Sequence, residues 1–433
     1  MKIVLLTPGT GSYYCGVCMR DNALAKEVIR QGHDAAMLPM YLPLTLDEKS
    51  ANPDTPVFFG GINVYLQQRF AIFRKSPRWL DNLLNYRGFL RLAAGRSGMT
   101  DGAELGAITL SMLRGEEGNQ AKEVEQLIQW LRAHRPDSVW LSTALLVGLA
   151  RRIITELQIP VLCSLQGEDV FLDDLPSPWR EQSWETLAER ARDIAAFIAP
   201  SRFYADLMGS RMRLTSEQLR VIPNGISLEG FESPAISAQP PTIGFLARFI
   251  KGKGLDLVVD AFLEMEKRGR FPNLRLCCIG AMTAEDERFV AALKQKLANA
   301  GCAGRVAFHP NVTRDEKIAL LKTLTLLTVP TRYGEAFGLF LIEALAAGVP
   351  VVQPRTAAFP EIVEETGGGV LFNEMTPASC ADAWERLLGN PQEAAELGRR
   401  GREKVFQEYS IQRLAERYLE LTTEKSRVPA AVH

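Results

Sequence analysis

Histidine is scarce in this chain: His33, His134, His309 and His433 are the only four among 433 residues. None stands with cysteine and carboxylate at metal-ligand spacing, and Asp173-Asp174 is not an Asp-x-Asp signature, so no metal site is expected. Net charge is nearly absent as well, at -1, which argues against a chain-wide attraction to nucleic acid or to an anionic membrane. No run of about 18 apolar residues occurs, so no membrane-spanning helix is expected. The opening Met1 to Thr7 lacks a charged leader before a long apolar segment and reads as a first strand, not a signal peptide. Seven cysteines, an odd number in a long chain, suggest reduced thiols and a cytoplasmic setting.

What remains is an ordinary globular composition, 46% hydrophobic and 23% charged, in a chain long enough for two cores. Short apolar runs alternate with amphipathic stretches nearly throughout. In the first half the runs are Lys2 to Thr7, Ala35 to Leu38, Ser138 to Thr143, Pro160 to Leu165, Phe197 to Ser201 and Arg220 to Pro223. Between them Asp21 to Gln31 is expected to be a helix, opened by a capping Asp and closed at Gly32. Strands apolar along their whole length and interleaved with helices indicate a parallel sheet covered on both faces. The proline-rich stretch from Ile226 to Pro241 is the best linker. The pattern then restarts at Thr242 to Ala247, Leu274 to Gly280, Arg305 to His309, Leu326 to Thr331, Val349 to Gln353 and Gly369 to Phe372. Two doubly wound α/β halves are expected, with a ligand cleft at the carboxyl ends of their strands.

The stretch "RYGEAFGLFLIEALAAGVPVV", Arg332 to Val352, places Glu335 before an apolar helix and Glu343 inside it. Enclosed carboxylates need donors. Gly338 lies at the helix start, where free N–H groups favour a phosphate. A glutamate on each side could accept from hydroxyls flanking that phosphate, the layout of a nucleotide sugar; the plain alternative is a helix cap and a surface residue. Arg248 and Lys253, five apart after a strand and before a helix beginning near Leu255, are arranged to neutralise a diphosphate leaving group, or are solvated loop charges, for which Lys251 is the better candidate.

Taken together, Glu335-x7-Glu343 within "YGEAFGLFLIEALAAGVPVV", "ARFIKGKGLD", "VIPNGI" at Val221 to Ile226 and "RQGHDAAML" at Arg30 to Leu38 resemble the family 4 retaining glycosyltransferases of the GT-B fold. The likeness runs over most of the chain and is strongest in the second half. It implies an acceptor-binding Rossmann-like domain over 1–230, a nucleotide-sugar domain over 238–409 and a C-terminal helix, 410–425, packing back on the first. It implies a hexosyl transfer with retention from a UDP-, GDP- or ADP-sugar to a glycan, lipid or small-molecule acceptor, with no cofactor, metal or nucleic acid. Glu335, Arg248, Lys253 and Gln166 would form the catalytic set. Glu335 and the amides of Ala336, Phe337, Gly338 and Leu339 would hold donor hydroxyls, Glu343 the ribose, and Arg248 with Lys253 the diphosphate. Asn311 and Val312 would border the base, and Gly16 would let backbone approach the donor phosphate. Asp169 could contact the acceptor or cap the next helix.

Two departures stand out. Gln166 replaces a histidine frequent in relatives, so it can position a sugar but not shuttle a proton near neutral pH. "YYCGVC" replaces a loop where two adjacent glycines are common. Other readings stay open: a nucleotide-sugar epimerase or hydrolase, disfavoured by the scarcity of histidine, or a catalytically silent nucleotide-sugar binder. Cys15-x-x-Cys18 heads a helix and could be a redox pair or small core thiols. The basic, aromatic segment 67–98 could touch an anionic membrane or an acidic acceptor, placing the protein peripherally at the inner membrane, or could be an insertion packed on the first domain.

Overall fold

A computed structural model describes residues 1–9, 16–42, 46, 49–52, 102–235 and 240–427. Cys15 and the segment 67–98 lie outside the described residues. The chain divides into two compact units, Met1–Pro223 with Leu414–His433, and Asn224–Arg413.

The first unit holds six strands: β1 (Lys2–Thr7), β2 (Asp34–Pro39), β3 (Ser138–Leu141), β4 (Val161–Ser164), β5 (Ala196–Ala199) and β6 (Leu219–Val221). They pair in parallel in the order β2-β1-β3-β4-β5-β6. Direction along the sheet reverses between β1 and β3. β3, β4 and β5 are buried along their whole length, which is why they read as unbroken apolar runs, while β6 at the sheet edge is half-exposed. Helices cover them with amphipathic faces: in Ala121–His134, Val124, Leu127, Ile128 and Leu131 are buried at the spacing of one helical stripe. The C-terminal helix Ile411–Ser426 is tied in at its end, where Trp140 Nε1 donates to Thr422 at 3.0 Å and Ser164 Oγ shares a hydrogen bond with Tyr418 at 2.8 Å.

The first helix runs Gly16–Arg30, so Asp21 is not its cap as the sequence suggested. Asp21 is buried and bonded to Arg20 and to the hydroxyl of Ser142. A buried carboxylate needs such donors, and tertiary contacts supply them where a cap would have used only local backbone.

The second unit repeats the architecture with β7 (Thr242–Leu246), β8 (Arg275–Gly280), β9 (Val306–Pro310), β10 (Leu326–Leu327), β11 (Val351–Pro354) and β12 (Gly369–Phe372). Their order is β12-β11-β10-β7-β8-β9, all parallel. β10 is much shorter than the expected Leu326 to Thr331 run. Pro330 has no N–H to give a ladder, and Thr331 instead turns back to Tyr333 through its hydroxyl at 3.1 Å. The expected linker is partly built into this unit: Ile226 bridges Ser410 and Phe231 is buried. The core is aromatic and aliphatic, with Phe245, Phe262, Leu341 and Trp384 sealed, and Trp384 Nε1 donating to Thr328 at 2.8 Å.

Candidate active site

In a doubly wound sheet the ligand crevice opens at the carboxyl ends of the strands, where the order reverses. In the second unit that point lies between β7 and β10. The loop after β7 carries Arg248 and Lys253; the loop after β10 carries Tyr333, Glu335 and Gly338. Lys253 Nζ donates to Glu335 Oε2 at 2.7 Å, joining the two loops across the reversal. The side chains are 19% and 17% exposed, so the pair is screened from bulk water yet reachable. The Lys253 ammonium also sits 4.9 Å from the centre of the Tyr333 ring. Burial alone would lower the Lys253 pKa, but the Glu335 charge and the contact with Tyr333 outweigh it and hold the ammonium above its ordinary value. Burial raises the Tyr333 phenol against the pull of Lys253, with Glu335 raising it and Arg248 lowering it more weakly, so these four groups share one electrostatic neighbourhood.

Backbone geometry fixes the loops. Gly254 adopts φ +79° and a Cβ there would lie 2.1 Å from the Pro330 carbonyl oxygen, so only glycine lets the two loops touch. Arg332 N donates to the Gly252 carbonyl at 2.8 Å, and its guanidinium grips Asp256 at 2.6 and 3.1 Å. Gly338, at φ +91°, opens the helix Leu339–Ala346, whose Phe340, Leu341, Ile342, Ala344, Leu345 and Ala346 are buried. Glu343 is the one charge on it. Lys317, from the helix Arg314–Leu321 after β9, donates to Glu343 Oε1 at 2.8 Å. Each of the two glutamates therefore has its own lysine.

Arg248 is placed on Asp286 at 3.1 and 3.2 Å and on the Thr283 hydroxyl at 3.2 Å, not on Lys253's partner. Asn311 stands at φ +55°, with its side chain committed to the backbone of Met282, at 3.0 Å from its N–H and 2.8 Å to its carbonyl. It shapes the loop after β8. Val312 packs on the core, and Ala336 and Phe337 are buried, so these residues could meet a ligand chiefly through backbone. Lys251 is exposed.

In the first unit Gly16 is the first residue of its helix. Gln166 precedes the short helix Glu168–Asp173 after β4, and Asp169 lies in its first turn; Gly167, not Asp169, is the N-cap residue. The Tyr204 hydroxyl lies 2.8 Å from Asp169 Oδ1, and burial raises the Asp169 carboxyl above the usual range despite that hydrogen bond. Cys18 is buried, with Sγ 3.7 Å from the Thr7 hydroxyl. Among the described residues no group of three or more His, Cys, Asp or Glu is placed to hold a metal, and no helix is long and apolar enough to cross a membrane.

Three functional candidates escaped sequence reasoning: Lys317, Tyr333 and Glu168. Lys317 had one usable signal, a basic residue in the first turns of a helix opened by a Thr313/Glu316 capping box just beyond a strand end. Which acid it would meet, 26 residues on, no local pattern could say.

Comparison with known proteins bears on the family and the fold. The family model described as Glycosyl transferases group 1 matches residues 228–404, and that described as Glycosyltransferase Family 4 matches residues 103–229. The chain belongs to the family 4 glycosyltransferases, and its two Rossmann-like units are those of the GT-B fold. It is 27% identical over 250 residues to a D-inositol 3-phosphate glycosyltransferase of Nocardia farcinica, covering 55% of this chain and 54% of that one. It is 27% identical over 305 residues to a GDP-mannose-dependent alpha-(1-6)-phosphatidylinositol monomannoside mannosyltransferase of Mycobacterium tuberculosis, covering 66% and 73%. The chain thus spans about half the length of the first of these curated relatives. Among solved structures it resembles a sucrose-phosphate synthase of Thermosynechococcus elongatus, with TM-score 0.71, 17% identity and coverage of 98% and 99%. An Anabaena protein solved in complex with UDP and glucose gives TM-score 0.67 at 16% identity, covering 98% of this chain and 99% of its own.

Proposed function

We propose that the protein transfers a hexosyl group from a nucleotide sugar to a hydroxyl acceptor, with retention and without a metal ion. The observation that carries this reading is the Lys253–Glu335 pair spanning the reversal point of the second sheet, with Arg248 nearby and Lys317–Glu343 on the adjoining helix. An ammonium held over a carboxylate is an exchangeable partner. A diphosphate bears more charge than Glu335 and attracts Lys253 more strongly. Once Lys253 turns to the phosphates, Glu335 is left to accept from sugar hydroxyls, and Glu343 from those of the ribose. The helix opened by Gly338 adds amides that have no intrahelical acceptor.

Lys253 and Arg248 then stabilise the charge that develops on the leaving diphosphate, the contribution that usually dominates such catalysis. The leaving oxygen takes the acceptor's proton on the face from which it departs, so Gln166 need only orient the sugar. The GDP-mannose and inositol-phosphate chemistry in the relatives' names supports a nucleotide-sugar donor and makes polyol phosphates the first acceptors to try. All six described cysteines are buried thiols, which supports a reducing, cytoplasmic setting.

The test is nucleotide release from UDP-, GDP- and ADP-sugars with candidate acceptors, followed by NMR of the product's anomeric configuration. Inversion at the anomeric carbon would overturn retention. Turnover undiminished in both Glu335→Ala and Lys253→Ala would overturn the site.

A further inference from the structure

The turn that carries Gln166 is pinned from beneath by a single acid. Glu168 is 4% exposed. Its Oε2 accepts from the backbone N–H of Gln166 at 2.8 Å, that of Gly167 at 3.1 Å and the Tyr204 hydroxyl at 3.0 Å. Its Oε1 accepts from the Thr143 hydroxyl at 2.8 Å and the Ala144 N–H at 2.9 Å. Five donors thus reach one carboxylate from three places: the turn itself, the loop after β3, and the helix Arg202–Met212. Tyr204 backs it up from that helix. Fully buried, its oxygen accepts from Gly167 N–H at 2.8 Å, and its one hydrogen is shared between Glu168 and Asp169.

The other side of the turn differs. Gly167 stands at φ +104°, where L side chains are rarely found, yet a Cβ built on it would meet nothing within 4 Å. Crowding therefore does not demand the glycine; the conformation does, and the conformation is held by the bonds underneath. Burying a carboxylate to hold a two-residue surface turn is a costly device, since a hydroxyl cap would satisfy one amide at far lower desolvation cost. Its return is a turn fixed from below, the preorganisation a ligand-facing group requires.

We propose that Glu168, with Tyr204, is the positioning pair that presents Gln166 to the sugar during transfer. This rests on the transferase reading above. Neither residue need touch the substrate; they act by fixing where the Gln166 amide side chain begins.

The experiment compares wild type with Tyr204→Phe and Glu168→Gln. Misplacing the turn by a fraction of an ångström is expected to lower kcat about 10- to 100-fold. KM for the nucleotide sugar should stay within about twofold, because the cations and acids that grip it lie on other residues. Amide hydrogen exchange at Gln166 and Gly167 should quicken by about tenfold while β4 amides keep their protection. Tyr204→Phe keeps the ring's packing, so its Tm should fall by no more than a few degrees and its kcat can be read well below that Tm.

An active wild type whose two variants keep full kcat at low temperature, or whose Gln166 and Gly167 amides stay as protected as before, overturns the positioning role alone. A wild type that releases nucleotide from no donor overturns the transferase reading itself, and this role with it.

Discussion

At the carboxyl edge of the second sheet the acids are partnered by lysines: Glu335 by Lys253 and Glu343 by Lys317. After β4 of the first sheet, Glu168 is partnered by two hydroxyls and three amides. Both arrangements satisfy a shielded carboxylate, and they behave differently when a ligand arrives. A lysine on a flexible stem can leave one anion for a stronger one without moving the backbone. Backbone amides cannot. The second unit is thus built to exchange partners with an anion, and the first to hold one geometry throughout.

The sharpest way to break this contrast is Lys253→Ala. It removes the exchangeable cation and leaves Glu335 shielded and unpartnered, so turnover should fall by about 10²- to 10³-fold. Nucleotide-release kinetics measure this, and isothermal titration with nucleoside diphosphates should show the affinity falling in parallel. Glu343→Ala should weaken nucleoside diphosphate binding by about 10- to 100-fold while removing the Lys317–Glu343 hydrogen bond at a cost of about 1–3 kcal/mol in stability. Titration calorimetry and urea unfolding read the two effects separately.

The two cores share one device. Each unit buries a tryptophan whose indole N–H donates to a threonine, Trp140 to Thr422 and Trp384 to Thr328. Phenylalanine at either position should cost about 1–3 kcal/mol by lost bonding and packing. Trp140→Phe should additionally loosen the C-terminal helix, visible as faster amide exchange near Thr422.

The smallest effect concerns pH. Burial raises the Asp169 carboxyl, so the fold binds its proton more tightly than the unfolded chain does. That contribution is present at pH below the ordinary aspartate value and is lost as pH rises through the raised one; at neutral pH the ionised group costs stability. Asp169→Asn should therefore gain on wild type as pH climbs from acid to neutral, by less than about 1 kcal/mol in urea unfolding followed across that range. Lys253 has the same sign but a much higher window. Its contribution is fully present below the ordinary lysine value and is lost only as pH rises through the raised one.

Much of the fold was legible because buried parallel strands leave a continuous apolar run. β1 and β12 fall on the expected residues, whereas β10 stops at Leu327 and the Val329 N–H is taken by the Gln353 side chain at 3.2 Å instead of a neighbouring strand. The apolar helix around Glu343 announced that its carboxylate would be enclosed. The site's composition was legible for the same reason, since charge in an apolar context stands out. Its pairings were not. Arg248 and Lys253 looked like one cationic pair five residues apart, and the fold sends one to Asp286 and the other to Glu335. Asp21 looked like a cap and is a buried partner of Arg20 and Ser142. Glu168, between two residues singled out for function, drew no notice, because its five donors come from segments scattered from Thr143 to Tyr204.

The amino-acid order alone determined that two apolar parallel sheets would form and that acids and bases would gather at the ends of their strands. Those outcomes follow from local periodicity and from the cost of burying charge. Which cation faces which acid, and which acid pins a turn instead of meeting a ligand, was decided only by the tertiary structure, because a hydrogen bond is set by distances of about 3 Å that chain separation does not encode.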